Sequence, residues 1–266
     1  MLDLHCHTTF SDGTLTPTEL VNAARSAGIT ALAITDHDTL GGWDEARAAA
    51  GDDMEIVPGV ELSTISGGRS LHMLGFYPKR ELLNGPLQER MDGRKRRAGK
   101  MVEKLAALGY PVVLPDVGPD RMPGRPHVAA AMMAAGYVAS KKEAFDRFLA
   151  EGQPGFEPYE PFDVLEGIRL LRECGGVPVW AHAFLWRGGD IEEALPAMVE
   201  AGLCGLEVFH PNHSPSDRRK LLDWCDRYDL LVTGGSDYHG PQMATRGLNS
   251  QRVSLDYLEE VKAAAR

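Results

Sequence analysis

Short apolar segments alternate with helical segments along most of the chain, and this alternation restricts the fold more than any other feature. Seven segments have the composition and length of strands: residues 3–7, 31–35, 55–62, 71–76, 177–181, 205–209 and 230–233. Helical segments separate most of them, which is typical of strands joined by parallel crossovers. The predicted fold class is α/β, with seven strands in a parallel barrel or a distorted relative of one.

The first predicted helix has a strong start signal. Thr16 is suited to the N-cap, Pro17 to the first helical position, and Glu19 completes a capping box with Thr16. Gly28 then supplies a helix end. We therefore expect a helix between Thr16 and Gly28.

The middle of the chain interrupts the alternation. Residues 87–162 contain helical stretches and turns with few β-branched runs, which indicates a helical insertion. The predicted organisation is a first part of the barrel at 1–86, the insertion at 87–162, and a second part of the barrel at 163–266.

Histidines and acidic residues recur where the predicted strands end. His5 and His7 are two residues apart on the first strand and therefore point to one side of it, and Asp237 and His239 repeat this spacing. The other residues of this kind are Asp12, Asp36, His37, Glu61, His72, His182 and Glu207. Because the carboxyl ends of barrel strands meet at one edge, we expect these side chains to form one cluster.

Imidazoles and carboxylates at buried strand ends indicate a metal site, since such groups are costly to bury without a cation. An isolated H-x-H pair is equally consistent with ordinary core or surface histidines, so the recurrence carries the prediction. Nitrogen and oxygen ligands together suit Mn²⁺, Zn²⁺ or Fe²⁺ better than Ca²⁺. The four scattered cysteines read as free thiols, so we expect a catalytic centre with open positions.

Charge and hydropathy argue against two other classes of protein. A net charge of -10 and a pI near 5.4 disfavour a general polyanion-coating protein, although carboxylates bound to metal would leave a locally positive site. The first residues lack the regions of a signal peptide, and no apolar run approaches the roughly 20 residues that span a bilayer. We expect a cytoplasmic protein that does not bind membranes.

Six motifs occur in an order that resembles the PHP (polymerase and histidinol phosphatase) family. They are DLHCHTTFSDG at 3–13, TDHD at 35–38, GVELS at 59–63, LHMLG at 71–75, AH at 181–182 and GSDYH at 235–239. The GRPH stretch at 124–127 and the helical insertion resemble a bacterial subgroup of stand-alone enzymes. That subgroup acts on nucleoside 3',5'-bisphosphates and on the 5' ends of short oligonucleotides.

This resemblance implies a distorted seven-stranded (β/α)7 barrel and a centre of two or three divalent ions, with Mn²⁺ preferred and Zn²⁺ or Fe²⁺ as alternatives. By the resemblance, one ion is held by His5, His7, Glu61 and Asp237. Glu61 bridges to a second ion completed by His72 and His182, and the third ion is held by Asp12, His37 and His239. One departure from the family is Ala183, where relatives commonly have proline after the late histidine.

The implied activity is metal-dependent hydrolysis of nucleotide phosphate esters, with a hydroxide shared by the ions as nucleophile. Arg125 is our candidate for a phosphate clamp, because guanidinium matches phosphate in two-point geometry. His127 is a candidate to bind phosphate or to protonate the leaving oxygen, and His213 to line the substrate pocket. The expected partners are a small phosphorylated nucleotide and, as an extension, short single-stranded nucleic acid.

Three alternatives remain open on sequence. A phosphatase for a small metabolite such as histidinol phosphate would use the same metal centre. A catalytically silent PHP module is disfavoured because all nine proposed ligands are present. An amidohydrolase is disfavoured because no strand end offers a lysine for carboxylation.

Overall fold

The computed structural model describes residues 1–115, 124–158, 162–242, 247–251 and 253–265. The chain divides into two compact units. The barrel unit comprises Met1–Pro86 and Pro161–Arg266, and the helical unit comprises Leu87–Glu160. No helix within the described ranges is both long enough and apolar enough to cross a membrane.

The barrel unit is built on one seven-stranded sheet whose spatial order equals the order along the chain. This confirms the α/β prediction. The strands are β1 (Leu2–Asp3), β2 (Ala31–Ile34), β3 (Glu55–Ser66), β4 (Arg69–Phe76), β5 (Val177–Trp180), β6 (Gly205–Phe209) and β7 (Leu231–Gly234).

One strand runs against the others, so the prediction of a uniformly parallel barrel is wrong for β4 while the distorted form is confirmed. β4 pairs antiparallel with both β3 and β5, whereas the remaining pairs are parallel. Gly67 and Gly68 connect β3 to β4 with φ of 57° and 71°. Two residues with positive φ make a tight hairpin turn, which is too short for a parallel crossover.

The first and last strands meet and nearly close the barrel. The Leu4 amide donates to the Gly234 carbonyl at 3.2 Å, and the His7 amide donates to the Tyr238 carbonyl at 2.9 Å. Cys6 and Tyr238 form a parallel bridge beyond the two strands. The residues that follow β1 and β7 therefore lie side by side.

The helices follow the capping signals where these are present. Thr16 makes both bonds of the expected capping box, and the first helix ends before Gly28, whose φ is 76°. The helices are α1 (Pro17–Ser26), α2 (Trp43–Ala50), α3 (Arg80–Ala107), α4 (Arg125–Ala134), α5 (Lys141–Ala144), α6 (Val164–Glu173), α7 (Ile191–Glu200), α8 (Pro215–Tyr228) and α9 (Asp256–Ala264). A π-helical turn, Phe145–Leu149, continues α5.

Each unit has its own apolar core. In the barrel, alternating strand residues such as Leu4, Val57 and Val179 pack inward and are fully buried. In the helical unit, Met101 and Phe148 belong to a second core. Because neither core depends on a disulfide among the described residues, apolar burial stabilises both.

Candidate metal centre

The paired segments after β1 and β7 carry four of the predicted ligands. The sequence prediction placed His5 and His7 on a strand, and likewise Asp237 and His239, but β1 ends at Asp3 and β7 at Gly234. The reason is that Asp3 accepts the Ser236 amide at 2.8 Å, a bond that replaces ladder pairing there. The Cys6–Tyr238 bridge nevertheless keeps the two segments extended side by side. Alternate side chains of the first segment, those of His5 and His7, therefore face the same group of atoms.

Glu61 and His72 are not at strand ends, contrary to the sequence prediction. β3 continues to Ser66, so Glu61 lies at its middle, and His72 is the fourth residue of the reversed β4. In the register, His72 faces Ser63, two residues beyond Glu61. The longer hairpin therefore brings His72 Nδ1 to 2.8 Å from Glu61 Oε1.

A first group of donors converges between His5, His7, Glu61 and Asp237. His5 Nε2 lies 3.3 Å from Glu61 Oε2 and 3.4 Å from Asp237 Oδ1, and His7 Nε2 lies 3.2 and 3.3 Å from the same atoms. The two Nε2 atoms and Glu61 Oε2 are buried and make no hydrogen bond with any residue that the structure describes.

These spacings fit a shared cation. Ligands at about 2.0–2.2 Å from an ion, separated by 90–109° at the ion, lie about 2.8–3.6 Å apart. Orphaned inner nitrogens beside two carboxylates are otherwise expensive to bury. The donor set therefore fits a divalent ion.

A second group gathers around Asp12. Asp12 Oδ1 lies 3.2 Å from His239 Nε2 and 3.8 Å from His7 Nδ1, and Asp12 Oδ2 lies 3.9 Å from His37 Nε2. One donor atom from each of these four residues lies within 4.8 Å of the others. The prediction grouped Asp12, His37 and His239, and the structure adds His7 to that set.

Glu61 connects the first group to a third. Its Oε1 lies 2.8 Å from His72 Nδ1 and 3.0 Å from His182 Nε2, while its Oε2 lies 3.1 Å from His37 Nδ1. Donors of His37, Glu61 and His72 also lie within 4.8 Å of one another. Five of the predicted ligands, all histidines, thus lie within 3.3 Å of the Glu61 carboxylate. Contact on both of its oxygens is the geometry that a bridging ligand requires.

Glu207 supports the cluster without joining it. Its Oε1 lies 2.9 Å from His5 Nδ1, and its Oε2 accepts the His182 amide at 2.8 Å. A carboxylate that takes the outer N–H of a histidine fixes the tautomer and directs the inner nitrogen at a metal. Glu207 therefore orients His5 and holds the loop that carries His182.

Asp36 turns away from the cluster, so its inclusion among the strand-end ligands was wrong. Its carboxylate accepts the amide and hydroxyl of Thr8 and the hydroxyl of Ser11, each at 2.7 Å. Burial, though opposed by the charge of His7 and by these hydrogen bonds, raises the pKa of Asp36. Its physical role is to order the loop between His7 and Asp12.

The residues after β6 place His210 beside the cluster of predicted ligands. His210 is buried, accepts the Asn212 amide on Nδ1 at 3.2 Å, and places Nε2 at 3.5 Å from Asp237 Oδ2. Accepting on Nδ1 puts the proton of the neutral ring on Nε2, so His210 presents a donor to Asp237. The favoured His213 instead places Nδ1 3.1 Å from the Val208 carbonyl and packs against the His210 ring.

Arg125 and His127 stand at the start of α4 in the helical unit. The Arg125 guanidinium lies over the rings of Phe145 and Phe156, at 5.7 and 5.9 Å from their centres. His127 Nδ1 accepts the Gly124 amide at 3.0 Å, which leaves Nε2 as the donor of the neutral ring. Their roles toward phosphate stay predictions.

Opposite charges shift the pKa values of several residues in the cluster. Burial opposes protonation of His7, but the carboxylates of Asp237 and Glu61 beside its Nε2 outweigh it and raise the pKa of His7 to about 10. Burial would raise the pKa of Asp12, Glu61 and Asp237, yet the neighbouring imidazoles hold all three pKa values well below their usual range. Without a cation, protons on the imidazoles balance the carboxylates.

Metal binding should therefore release protons. Histidine binds metal only as the neutral ring, so an ion entering the site displaces the proton that His7 holds below a pKa of about 10. The carboxylates, with lowered pKa values, release none near neutrality. We expect at least one proton per Mn²⁺ and an affinity that rises up to about tenfold per pH unit for each proton released between pH 6 and 8.

Calorimetry of Mn²⁺ binding at pH 7 in two buffers of different ionisation enthalpy measures this release. Equal binding heats in both buffers would contradict it.

Comparisons with known proteins agree with the geometry. The profile of the PHP domain matches residues 3–120. A 5'-3' exoribonuclease of Haemophilus influenzae is 34% identical over 90% of this chain and 90% of its own length. A 3',5'-nucleoside bisphosphate phosphatase of Chromobacterium violaceum is 32% identical over 90% of this chain and 87% of its own. A crystal structure described as a metal-dependent phosphoesterase of Bifidobacterium adolescentis superposes with a TM-score of 0.91 at 36% identity, covering 100% of this chain and 96% of that one.

Proposed function

The chain belongs to the PHP domain family of metal-dependent phosphoesterases, and from that premise we propose that it hydrolyses nucleoside 3',5'-bisphosphates and trims the 5' ends of short oligonucleotides. The observation that carries the proposal is one cluster of nine histidine and carboxylate side chains, in which five imidazoles surround Glu61 at ligand-like spacings. We further propose that the enzyme is cytoplasmic and uses Mn²⁺.

The proposed ligand sets follow the three groups of donors. His5, His7, Glu61 and Asp237 hold one ion. The others are held by Glu61 with His72 and His182, and by Asp12, His37 and His239. When bound, these ions supply an activated water and neutralise charge on the phosphate oxygens.

The chain itself positions the substrate. Arg125 is proposed to bind two phosphate oxygens, since its planar guanidinium matches their spacing. His127 is proposed to donate from Nε2 to a phosphate or to the leaving oxygen, the tautomer that the Gly124 amide selects. His210 holds Asp237, and His213 is proposed to line the pocket beside it.

One reaction covers both substrates. A nucleoside 3',5'-bisphosphate and the first nucleotide of a 5'-phosphorylated RNA share a 5'-phosphate and a phosphorus on O3'. Water bonds to that phosphorus, the P–O3' bond breaks, and O3' takes the proton. The products are a nucleoside 5'-phosphate with either inorganic phosphate or the shortened, 5'-phosphorylated RNA.

A panel of substrates tests the proposal. Metal-stripped protein resupplied with Mn²⁺ is assayed on adenosine 3',5'-bisphosphate, AMP, histidinol phosphate and a 5'-phosphorylated RNA pentamer. We expect phosphate and AMP from the bisphosphate and at least 100-fold slower release from AMP, because AMP lacks the 3'-phosphate. Turnover of histidinol phosphate alone would instead establish a small-metabolite phosphatase. No turnover of any of the four substrates by protein that has bound metal would refute the proposal.

A further inference from the structure

A cavity of ≈ 650 Å³ opens in the barrel unit beside the loop that follows His182. We call it the aromatic cavity. The start of α7 and one face of α8 complete its wall. Aromatic rings and cations share that wall: Phe184, Trp186, Trp224, Arg187, Lys220 and Arg227. Such a composition suits a ligand that combines flat rings with negative charge.

The aromatic side chains are fixed in place. Phe184 and Trp224 stack with their ring centres 6.0 Å apart and their planes at 17°. The Trp186 indole donates to the Ser66 carbonyl at 3.1 Å. Rings that are ordered before binding lose little conformational entropy when a base stacks on them.

The charged side chains of the cavity differ in their partners. Arg227 is paired with Glu192 at 2.6 Å, and Asp190 accepts the first amides of α7. The side chains of Arg187 and Lys220 are exposed, with Asp223 as the remaining carboxylate of the wall. The three cations of the wall balance its three carboxylates, so the attraction for phosphate is local to Lys220 and Arg187, whose guanidinium also donates to the carbonyls of Phe184 and Trp186.

A chain of contacts joins the cavity to the metal centre. Phe184 lies two residues after His182, so their Cα atoms are at most about 7 Å apart. Its ring meets the His213 ring edge-on at 5.7 Å, and His213 in turn meets His210 at 5.3 Å. His210 Nε2 lies 3.5 Å from Asp237. Packed side chains thus connect one wall of the cavity to the cluster of proposed ligands.

The cavity also extends away from that edge along α8. This helix begins directly after its cap Ser214, and Lys220 and Arg227 follow on it. At 1.5 Å per residue, they lie about 9 and about 20 Å from the cap along the axis. The part of α8 that lines the cavity, from Lys220 to Arg227, is therefore about 10 Å long, which is longer than one nucleotide.

We infer that the aromatic cavity binds the nucleotides on the 3' side of the attacked phosphate in a 5'-phosphorylated single-stranded oligonucleotide. The bases stack on the aromatic wall, and Arg187 and Lys220 contact the phosphates. The inference rests on the proposed function, because a nucleoside bisphosphate ends at the attacked phosphate and does not enter the cavity. The cavity is thus what extends a bisphosphatase to oligonucleotides.

The test compares wild-type protein with the double variant Arg187→Ala/Lys220→Ala and with Phe184→Leu. Arg169→Ala is the matched control, because Arg169 is an exposed cation of the same unit on α6, outside the cavity wall. The measured quantity is kcat/KM for the RNA pentamer divided by kcat/KM for adenosine 3',5'-bisphosphate, at several salt concentrations. Fluorescence anisotropy gives the Kd of labelled RNA for the metal-free proteins.

The double variant should lower the ratio about tenfold or more. It should also reduce the slope of log kcat/KM for RNA against log salt by about 1.4, or 0.7 for each lost phosphate contact. Phe184→Leu should lower the ratio without changing the slope, and Arg169→Ala should change neither. An unchanged ratio, slope and Kd in the double variant would overturn the inference.

Failure of the cavity inference and failure of the proposed function give different results. If wild-type protein hydrolyses the bisphosphate but neither binds nor cuts RNA, the inference fails and the proposed function stands in its mononucleotide form. If wild-type protein turns over neither substrate, the proposed function fails. An RNA Kd that is then equal in wild-type protein and the double variant would overturn the inference as well.

Discussion

Glu61→Gln should abolish hydrolysis of the bisphosphate, with kcat/KM reduced by about 10³-fold or more. Both oxygens of Glu61 are engaged: Oε1 faces His72 and His182, and Oε2 faces His5 and His7. Glutamine has nearly the same shape but no charge, and its amide turns a donor toward imidazoles that must present lone pairs. Loss of a bridging ligand forfeits several kcal/mol of charge stabilisation, and each 1.36 kcal/mol is tenfold in rate.

Glu207→Gln is the matched control for this prediction. Both glutamates are fully buried, but Glu207 contacts His5 from outside and the backbone of His182, not the group of inner nitrogens. Loss of such a supporting carboxylate typically costs 10–100-fold in metal affinity or activity. Both variants are assayed for turnover of the bisphosphate, and elemental analysis gives their Mn²⁺ content. A Glu61→Gln protein within tenfold of wild type would refute the bridging assignment.

Removal of metal should abolish turnover and lower the thermal stability of the protein. Protein stripped with a chelator should show no turnover, and added Mn²⁺ should restore it. An ion present at 100 times its Kd stabilises the folded state by about 2.7 kcal/mol, and 1 kcal/mol shifts Tm by about 2–4 °C in a protein near this size. The expected increase in Tm on adding Mn²⁺ is therefore about 5–10 °C.

Scanning calorimetry with and without Mn²⁺ measures this shift, and Glu61→Gln should show a much smaller one. A chelated protein that keeps full activity and the same Tm would show that the cluster is not a metal centre.

The barrel was predictable because its strands are apolar runs bounded by strong local signals. The capping box at Thr16 fixed the start of α1, and strand segments such as residues 31–35 and 205–209 appear almost as predicted. The direction of β4 was not predicted, although the sequence carries a signal for it. Gly67 and Gly68 stand between two strand-like runs, and a Gly-Gly pair there indicates a two-residue hairpin because both positions need positive φ.

The cluster was predictable as a set, but not its internal grouping. Spacing placed His5 with His7, yet it did not show that His7 also approaches Asp12, a contact set by the loop that Asp36 orders. The sequence analysis named His213, and not His210, as the candidate for the pocket. Only the fold shows that His210 faces Asp237 while His213 bonds the backbone of Val208. Such choices depend on tertiary packing, which a single sequence does not encode locally.

The junction of β1 with β7 has a consequence for synthesis of the protein. Cys6 and Tyr238 form a bridge between residues near the two ends of the barrel sequence, and the flanking ligands, His5 and His7 with Asp237 and His239, come together only there. Pairing over so long a separation carries a large loop-closure entropy, so the junction of β1 with β7 is expected to form late. A chain growing from its N-terminus keeps β1 as an open edge until the last strand has left the ribosome. Partly synthesised chains are therefore expected to lack hydrolytic activity.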